Sequence, residues 1–210
     1  MHLFTRTRSI DTANGPEALA FSVEHAQYVS KVTGLEVTPW ATVYGAPVGT
    51  ISSSVRVESQ AAMSAALATL AADAGYQKRI AGSAGRLFVG PTEDMIGEIV
   101  SSAGSGGSDG RFATVITAQC APGRIAESMT WGVDILNHAS KVTGLDGSFV
   151  RGLYGPWASV AWVNLAETLE EVDAAAAALA ADATYLERID DGGSLFLPGS
   201  ANQSLIRRLG

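Results

Sequence analysis

The chain has 210 residues, 47% of them hydrophobic and 17% charged, which supplies a packed core and excludes a disordered polymer. Its formal net charge of −7 is broken by no Lys/Arg cluster, so nucleic acid is not an expected partner: phosphate binding needs concentrated positive surface. Cys120 is the only cysteine, which excludes an internal disulfide and a cysteine-type zinc cluster.

The opening residues MHLFTRTRSI lack the apolar run of a signal peptide. No stretch reaches the ~20 apolar residues that span a bilayer. A cytoplasmic protein without membrane association is the expectation.

Taken in order, Leu3–Ile10 reads as a strand and 16–33 as a helix, with Gly34 placed to end it in a left-handed conformation. Extended stretches over 36–45 and 48–57 flank a Tyr-Gly-Ala-Pro turn. An alanine-rich helix is expected over 60–80, then a short apolar strand at 86–89 and an irregular tail.

The same order then recurs. A strand over Phe112–Gln119 precedes a helix over 124–143 closed by Gly144. Strands over 147–155 and 157–165 flank Tyr-Gly-Pro-Trp, and a helix over 169–188 opens with Thr168 and Glu171 as a capping box. A strand at 194–197 and a tail close the chain.

Residue-level matches support the recurrence. Ser30-Lys31-Val32-Thr33-Gly34-Leu35 returns unchanged as Ser140-Lys141-Val142-Thr143-Gly144-Leu145. LAADAGYQKRI at 70–80 returns as LAADATYLERI at 179–189. Val43-Tyr44-Gly45 matches Leu153-Tyr154-Gly155, and Leu87-Phe88-Val89 matches Leu195-Phe196-Leu197. Collinear matches at nearly constant offset read as tandem duplication. The expected organisation is residues 1–100 as a first repeat, 101–110 as a Gly/Ser linker, and 111–210 as a second repeat. The linker is not a dinucleotide-binding loop, because Asp109 stands where the third glycine of G-x-G-x-x-G belongs.

Each half reads β-α-β-β-α-β, the ferredoxin-like order, giving an α+β fold. With helices on one face of each antiparallel sheet, the bare faces can pack together as an intrachain α/β barrel. In this order, and in the LAAD-x-x-Tyr-x-x-Arg-Ile helix end, the chain resembles the dimeric α/β-barrel superfamily in tandem-fused form, with a likeness to its NIPSNAP-type members. That resemblance implies a small-molecule-binding protein, and a cofactor-independent monooxygenase or isomerase acting on an apolar or aromatic substrate. Relatives that bind heme make a heme protein with a histidine ligand the alternative. A non-catalytic module for assembly or partner binding is the third reading, and homo-oligomerisation fits it, since edge strands seek partners.

Among catalytic signatures, H-E-x-x-H, the Walker sequence and C-x-x-C are all missing. No metal site and no resident cofactor are expected. His25 lies on a helical stripe with Phe21, Tyr28 and Val32, and His138 on one with Trp131, Ile135 and Val142. These stripes are expected to pack on the sheets, each histidine at the boundary with its ring hydrogen-bonded. Trp40 and Tyr44 share a strand face, Trp162 lies on the matching later strand, and Arg151 shares parity with Phe149 and opposes Tyr154. The candidate ligand-binding set is therefore Trp40, Tyr44, Tyr154, Trp162, His25, His138 and Arg151. Arg6 and Arg8 share a face of the first strand and are expected to face solvent; turned inward, they would suit an anionic ligand. Asp73/Tyr76/Arg79 and Asp182/Tyr185/Arg188 are expected to lie along continuous helices as structural parts. Cys120 is expected to be a small buried apolar residue.

Overall fold

A computed structural model describes residues 1–104 and 110–210 of the chain, so Asp109 and the middle of the expected linker lie outside the described residues. Among the described residues, eight strands and six α-helices make up an α+β fold. Two compact units are distinguished, Met1–Ile96 with Arg207–Gly210, and Gly97–Ile206. The boundary at Ile96/Gly97 falls earlier than the linker expected at 101–110. Residues 101–103 of that linker complete a strand, β4, which runs Phe88–Ala103.

In the first unit, β1 (His2–Ile10) leads to α1 (Gly15–Thr33), then β2 (Val37–Tyr44) and β3 (Thr50–Val57). β3 pairs antiparallel with β1 on one side and β2 on the other, setting Arg6 opposite Ser53 and Ser53 opposite Pro39. Because side chains alternate along a strand, Phe4, Arg6, Arg8, Ile51, Ser53, Val37 and Pro39 share one face. Thr5, Thr7, Ser52, Ser54 and Trp40 share the other.

The second unit repeats this arrangement with β5 (Phe112–Gln119), α4 (Ile125–Thr143), β6 (Asp146–Tyr154) and β7 (Ser159–Ala166). Here β7 is the central partner, with Trp162 opposite both Ile116 and Phe149.

The repeated hexapeptide builds the end of α1 and of α4. Gly34 and Gly144 adopt φ of 73° and 74°, a left-handed turn that suits glycine, and their N–H groups donate to Ser30 O and Ser140 O. Thr33 Oγ1 and Thr143 Oγ1 donate to the carbonyls four residues back and accept the N–H of Leu35 and of Leu145. The two threonine hydroxyls are thus consumed by chain reversal.

Each expected alanine-rich helix is two helices. α2 (Gln60–Ala72) stops at Asp73, which is extended at φ −85°, ψ 114° and caps α3 (Ala74–Ser83) by accepting the Tyr76 N–H. α5 (Leu169–Ala181) stops likewise at Asp182, which caps α6 (Ala183–Gly192). The aspartate accepts a hydrogen bond that a continuous helix could not offer it, so it starts a new helix instead of riding on one. The capping box of Thr168 with Glu171 forms as expected.

The tails also differ from the sequence reading. Residues 90–103 continue β4, and the chain ends in β8 (Asn202–Arg208) after a 3-10 turn at Gly193–Leu195. Among the described residues no helix is long and apolar enough to cross a membrane.

Candidate functional site

The two units fill their helix–sheet interface differently. In the second, one buried cluster joins Ala118, Cys120, Ile135, Leu136, Phe149, Val160 and Trp162, and places Cys120 in apolar packing as expected. Phe149 and Trp162 pack with ring centres 5.0 Å apart and planes tilted by 31°, with Trp131 and Phe196 set edge-on to the Trp162 ring. Gly132 makes room for this pair, since a Cβ there would overlap the Phe149 ring, and its carbonyl accepts the Trp162 indole N–H at 2.9 Å.

The matching positions in the first unit carry smaller or polar residues. Pro39 stands for Phe149, Ser53 for Trp162, Arg6 and Arg8 for Ile116 and Ala118, and His25 for Ile135. The apolar core there divides into two clusters, one around Ile10, Ala18, Ile51 and Leu87, the other around Val55, Val57 and Met63. A cavity of about 80 Å³, partly open to solvent, touches both. It lies between the sheet and helices α1 and α2, with Tyr76 of α3 and Phe88 of β4 also on its wall. At ~30 Å³ for each water in the liquid, it has room for about two to three waters.

Two polar atoms in this wall have no partner. Arg8 Nε and His25 Nδ1 are buried without a hydrogen bond. Unmatched buried donors or acceptors cost about 1–3 kcal/mol each, and the second unit carries one as well, Ser159 Oγ. The Arg8 guanidinium lies 5.1 Å from the centre of the Phe88 ring, a contact that stabilises the cation without filling its hydrogen-bonding sites. Burial lowers its pKa, as does the neighbouring Arg6 charge.

Arg6 is engaged instead. It donates through Nε and Nη2 to the two oxygens of Asp94, at 2.7 and 2.6 Å, and this pairing holds its pKa above the usual value. His25 is stacked on Phe21 at 5.3 Å and tilted against Tyr76 at 5.4 Å. Burial, then the charges of Arg8, Arg79 and Arg6, push His25 down to about 4. At neutral pH the ring is uncharged and a weak base.

Arg6 and Arg8 therefore face inward, correcting the solvent-facing expectation. The strand register puts them on the face that α1 and α2 cover, and their long apolar stems pack there.

The seven sequence candidates do not converge. His25 lines the cavity. His138 Nε2 lies 2.9 Å from Asp182 Oδ1, so its ring is hydrogen-bonded as the boundary reading required. Trp40 is buried on the opposite sheet face, donating to Ser54 Oγ, and Trp162 is locked in the aromatic cluster. Tyr44 and Tyr154 are 72% and 62% exposed at the ends of their strands, outside any packed wall. Arg151 is half-exposed and paired with Glu98.

The residues fit heme poorly. A macrocycle is several times larger than this cavity, His138 is held by Asp182, and His25 is wedged between two rings. Among the described residues no group of three or more His, Cys, Asp or Glu side chains is placed to hold a metal ion.

No protein-family model matches the chain, and no curated protein does. Solved structures do. A candidate monooxygenase from Fusobacterium nucleatum superposes with a TM-score of 0.73 at 9% identity, covering 100% of this chain and 92% of its own. An anthrone oxidase-like protein gives 0.66 at 12% identity, with 100% and 93% covered. A heme-degrading enzyme from Listeria monocytogenes gives 0.54 at 8% identity, with 99% covered in each. At such identities the likeness is one of fold alone.

Proposed function

We propose that the chain is a small-molecule-binding protein whose site is the helix–sheet cavity of its first unit. The observation that carries this reading is the contrast between units. Where the second packs Phe149 and Trp162, the first has Pro39, Ser53 and a cavity whose apolar wall holds two unpartnered polar atoms. An unspecialised core would be filled in both. Apolar pockets with a few placed polar groups are the usual form of ligand sites.

The reading also takes the chain as a duplicated ferredoxin-like unit in which one copy kept a packed core and the other specialised. The repeated hexapeptide and the shared strand registers support that history. Cofactor-independent oxygenation is the enzymatic form we favour for this site, because neighbours of the same fold include a candidate monooxygenase and an anthrone oxidase-like protein.

Native mass spectrometry of the chain purified without added ligand tests the binding. A discrete organic increment over the 21.7 kDa chain is expected, and Ser53→Leu, which projects a larger side chain into the cavity, should remove it. Retention of the increment in Ser53→Leu would move the site elsewhere. Oxygen uptake with the released compound then decides whether binding is followed by oxidation.

A further inference from the structure

The proposed cavity has a polarity that the apolar lining conceals. Arg8 reaches it from β1 with a cation that belongs to no ion pair among the described residues, and its Nε–H is buried without an acceptor. The nearest anion in chemistry, Asp94, has both carboxylate oxygens engaged by Arg6. His25 Nδ1 is likewise buried and unbonded, its ring stacked on Phe21 and tilted against Tyr76. Arg8 and His25 both line the cavity, and among the charges around His25 that of Arg8 acts on it most strongly. Around them the wall is apolar, with Phe4, Val29, Met63, Leu67 and Leu70.

We propose, resting on the small-molecule reading above, that the ligand is a monocarboxylic acid with a short apolar body, its carboxylate held by Arg8 and His25. A carboxylate suits both side chains: it accepts from the Arg8 guanidinium and from a ring N–H of neutral His25, and its charge answers a cation that has no ion pair among the described residues. One such cation fits a monoanion better than a phosphate dianion, which would enter an apolar wall with excess charge. At about 80 Å³ the cavity suits the head group and first carbons of such an acid, and its open side lets the rest of a short chain extend outward.

Calorimetric titration of the full-length chain with hexanoate and with hexanamide, its neutral counterpart of like shape, tests this. Hexanoate is expected to bind at least tenfold more tightly, and Arg8→Met, which keeps an unbranched apolar stem without the charge, should abolish that preference. Equal binding of the two compounds would overturn the acid assignment while leaving the cavity reading intact. Failure of both to bind would overturn the cavity reading and this inference with it. Should Arg8→Met fail to fold, the wild-type imidazole resonances serve instead. His25 should shift on adding hexanoate and stay in place with hexanamide; an unmoved His25 with bound hexanoate would place the carboxylate elsewhere.

Discussion

Tyr28 donates its hydroxyl hydrogen to Asp73 Oδ1 at 2.6 Å, and the same oxygen caps α3 by accepting the Tyr76 N–H. In the second unit His138 takes the place of Tyr28, its Nε2 2.9 Å from Asp182 Oδ1, while that oxygen caps α6. Each aspartate is held below its usual pKa, first by the tyrosine or histidine and then by the amide it caps. One cap thus ties a long helix to the break in the next, with two different side chains doing the tying.

The tyrosine version leaves a mark on its neighbour. A Cβ at Gly75 would collide with the Tyr28 hydroxyl, and the position matching Gly75 is Thr184 where the shorter His138 is used. Gly75→Ala should therefore lower the melting temperature in the parent chain and do so less in a Tyr28→His background. Equal losses in both backgrounds, by calorimetry, would mean the two positions are independent.

His25 makes stability depend on pH with a definite sign. Its folded pKa of about 4 lies below the ~6.5 of an unfolded histidine, so between these values the unfolded chain binds a proton that the folded one refuses. Stability is full above pH 6.5 and declines as pH falls toward 4. The loss is on the order of 2 kcal/mol once screening of the partly exposed ring is allowed for. Burial is the main cause, and the charges of Arg8, Arg79 and Arg6 add to it, the last answered by Asp94. Urea denaturation at several pH values should show a smaller decline over this window for His25→Gln than for the parent, which separates His25 from the carboxylates titrating lower.

Much of the architecture could be read from the sequence, and the reasons for the exceptions are local. Gly34 and Gly144, the strand pairs and the Thr168 capping box follow from short-range rules that burial does not alter. The breaks at Asp73 and Asp182 were hidden because alanine periodicity continues through them, and only the side chain's preference for a cap stops the helix. The site was harder. Strand parity correctly grouped Arg6 with Arg8 and Trp40 with Tyr44, but it cannot tell which face the helices cover. Aromatic residues drew attention as ligand walls, whereas Trp162 fills the core and Tyr44 and Tyr154 lie exposed. The informative signal was the mismatch between halves: Ser53 against Trp162 and Pro39 against Phe149 mark the place where packing was given up.

That mismatch predicts unequal mutational costs. Trp162→Ala removes the centre of the aromatic cluster and its bond to Gly132 O, and should cost about 3–5 kcal/mol. Ser53→Ala, beside an existing cavity, should stay within about 1 kcal/mol of the parent. Chemical denaturation of the two variants checks the ratio, and comparable losses would show that the first unit depends on Ser53 as the second does on Trp162.

The turns offer a backbone comparison. Ala158 has φ 56°, while the matching Gly49 has φ 87°. A left-handed conformation costs an L residue about 1–2 kcal/mol, partly offset by the ~0.5–1 kcal/mol of chain entropy that glycine loses on folding. Ala158→Gly should therefore be neutral or stabilising by up to about 1 kcal/mol. Gly49→Ala should destabilise, because its Cβ would also sit 3.2 Å from the side chain and carbonyl of Ile10. Thermal unfolding of the pair tests the opposite signs directly.

Asp94 sets how much positive charge the cavity offers. It clamps Arg6 through both oxygens, so Arg6 has little left for a ligand, although its side chain lines the same cavity. Asp94→Asn keeps the shape but replaces a charge-assisted fork with, at best, one neutral acceptor. Arg6 then becomes a second cation in search of an anion. Two effects compete: the free protein loses stability because a half-buried guanidinium is left poorly paired, and a bound carboxylate gains a second donor. The first raises the free energy of the empty site, and the second lowers that of the filled one, so both tighten anion binding. Hexanoate affinity should increase severalfold in Asp94→Asn while the melting temperature of the ligand-free protein falls. Affinity that stays level while stability falls would mean that Arg6 points its guanidinium away from the bound head group, leaving Arg8 as the sole charged contact.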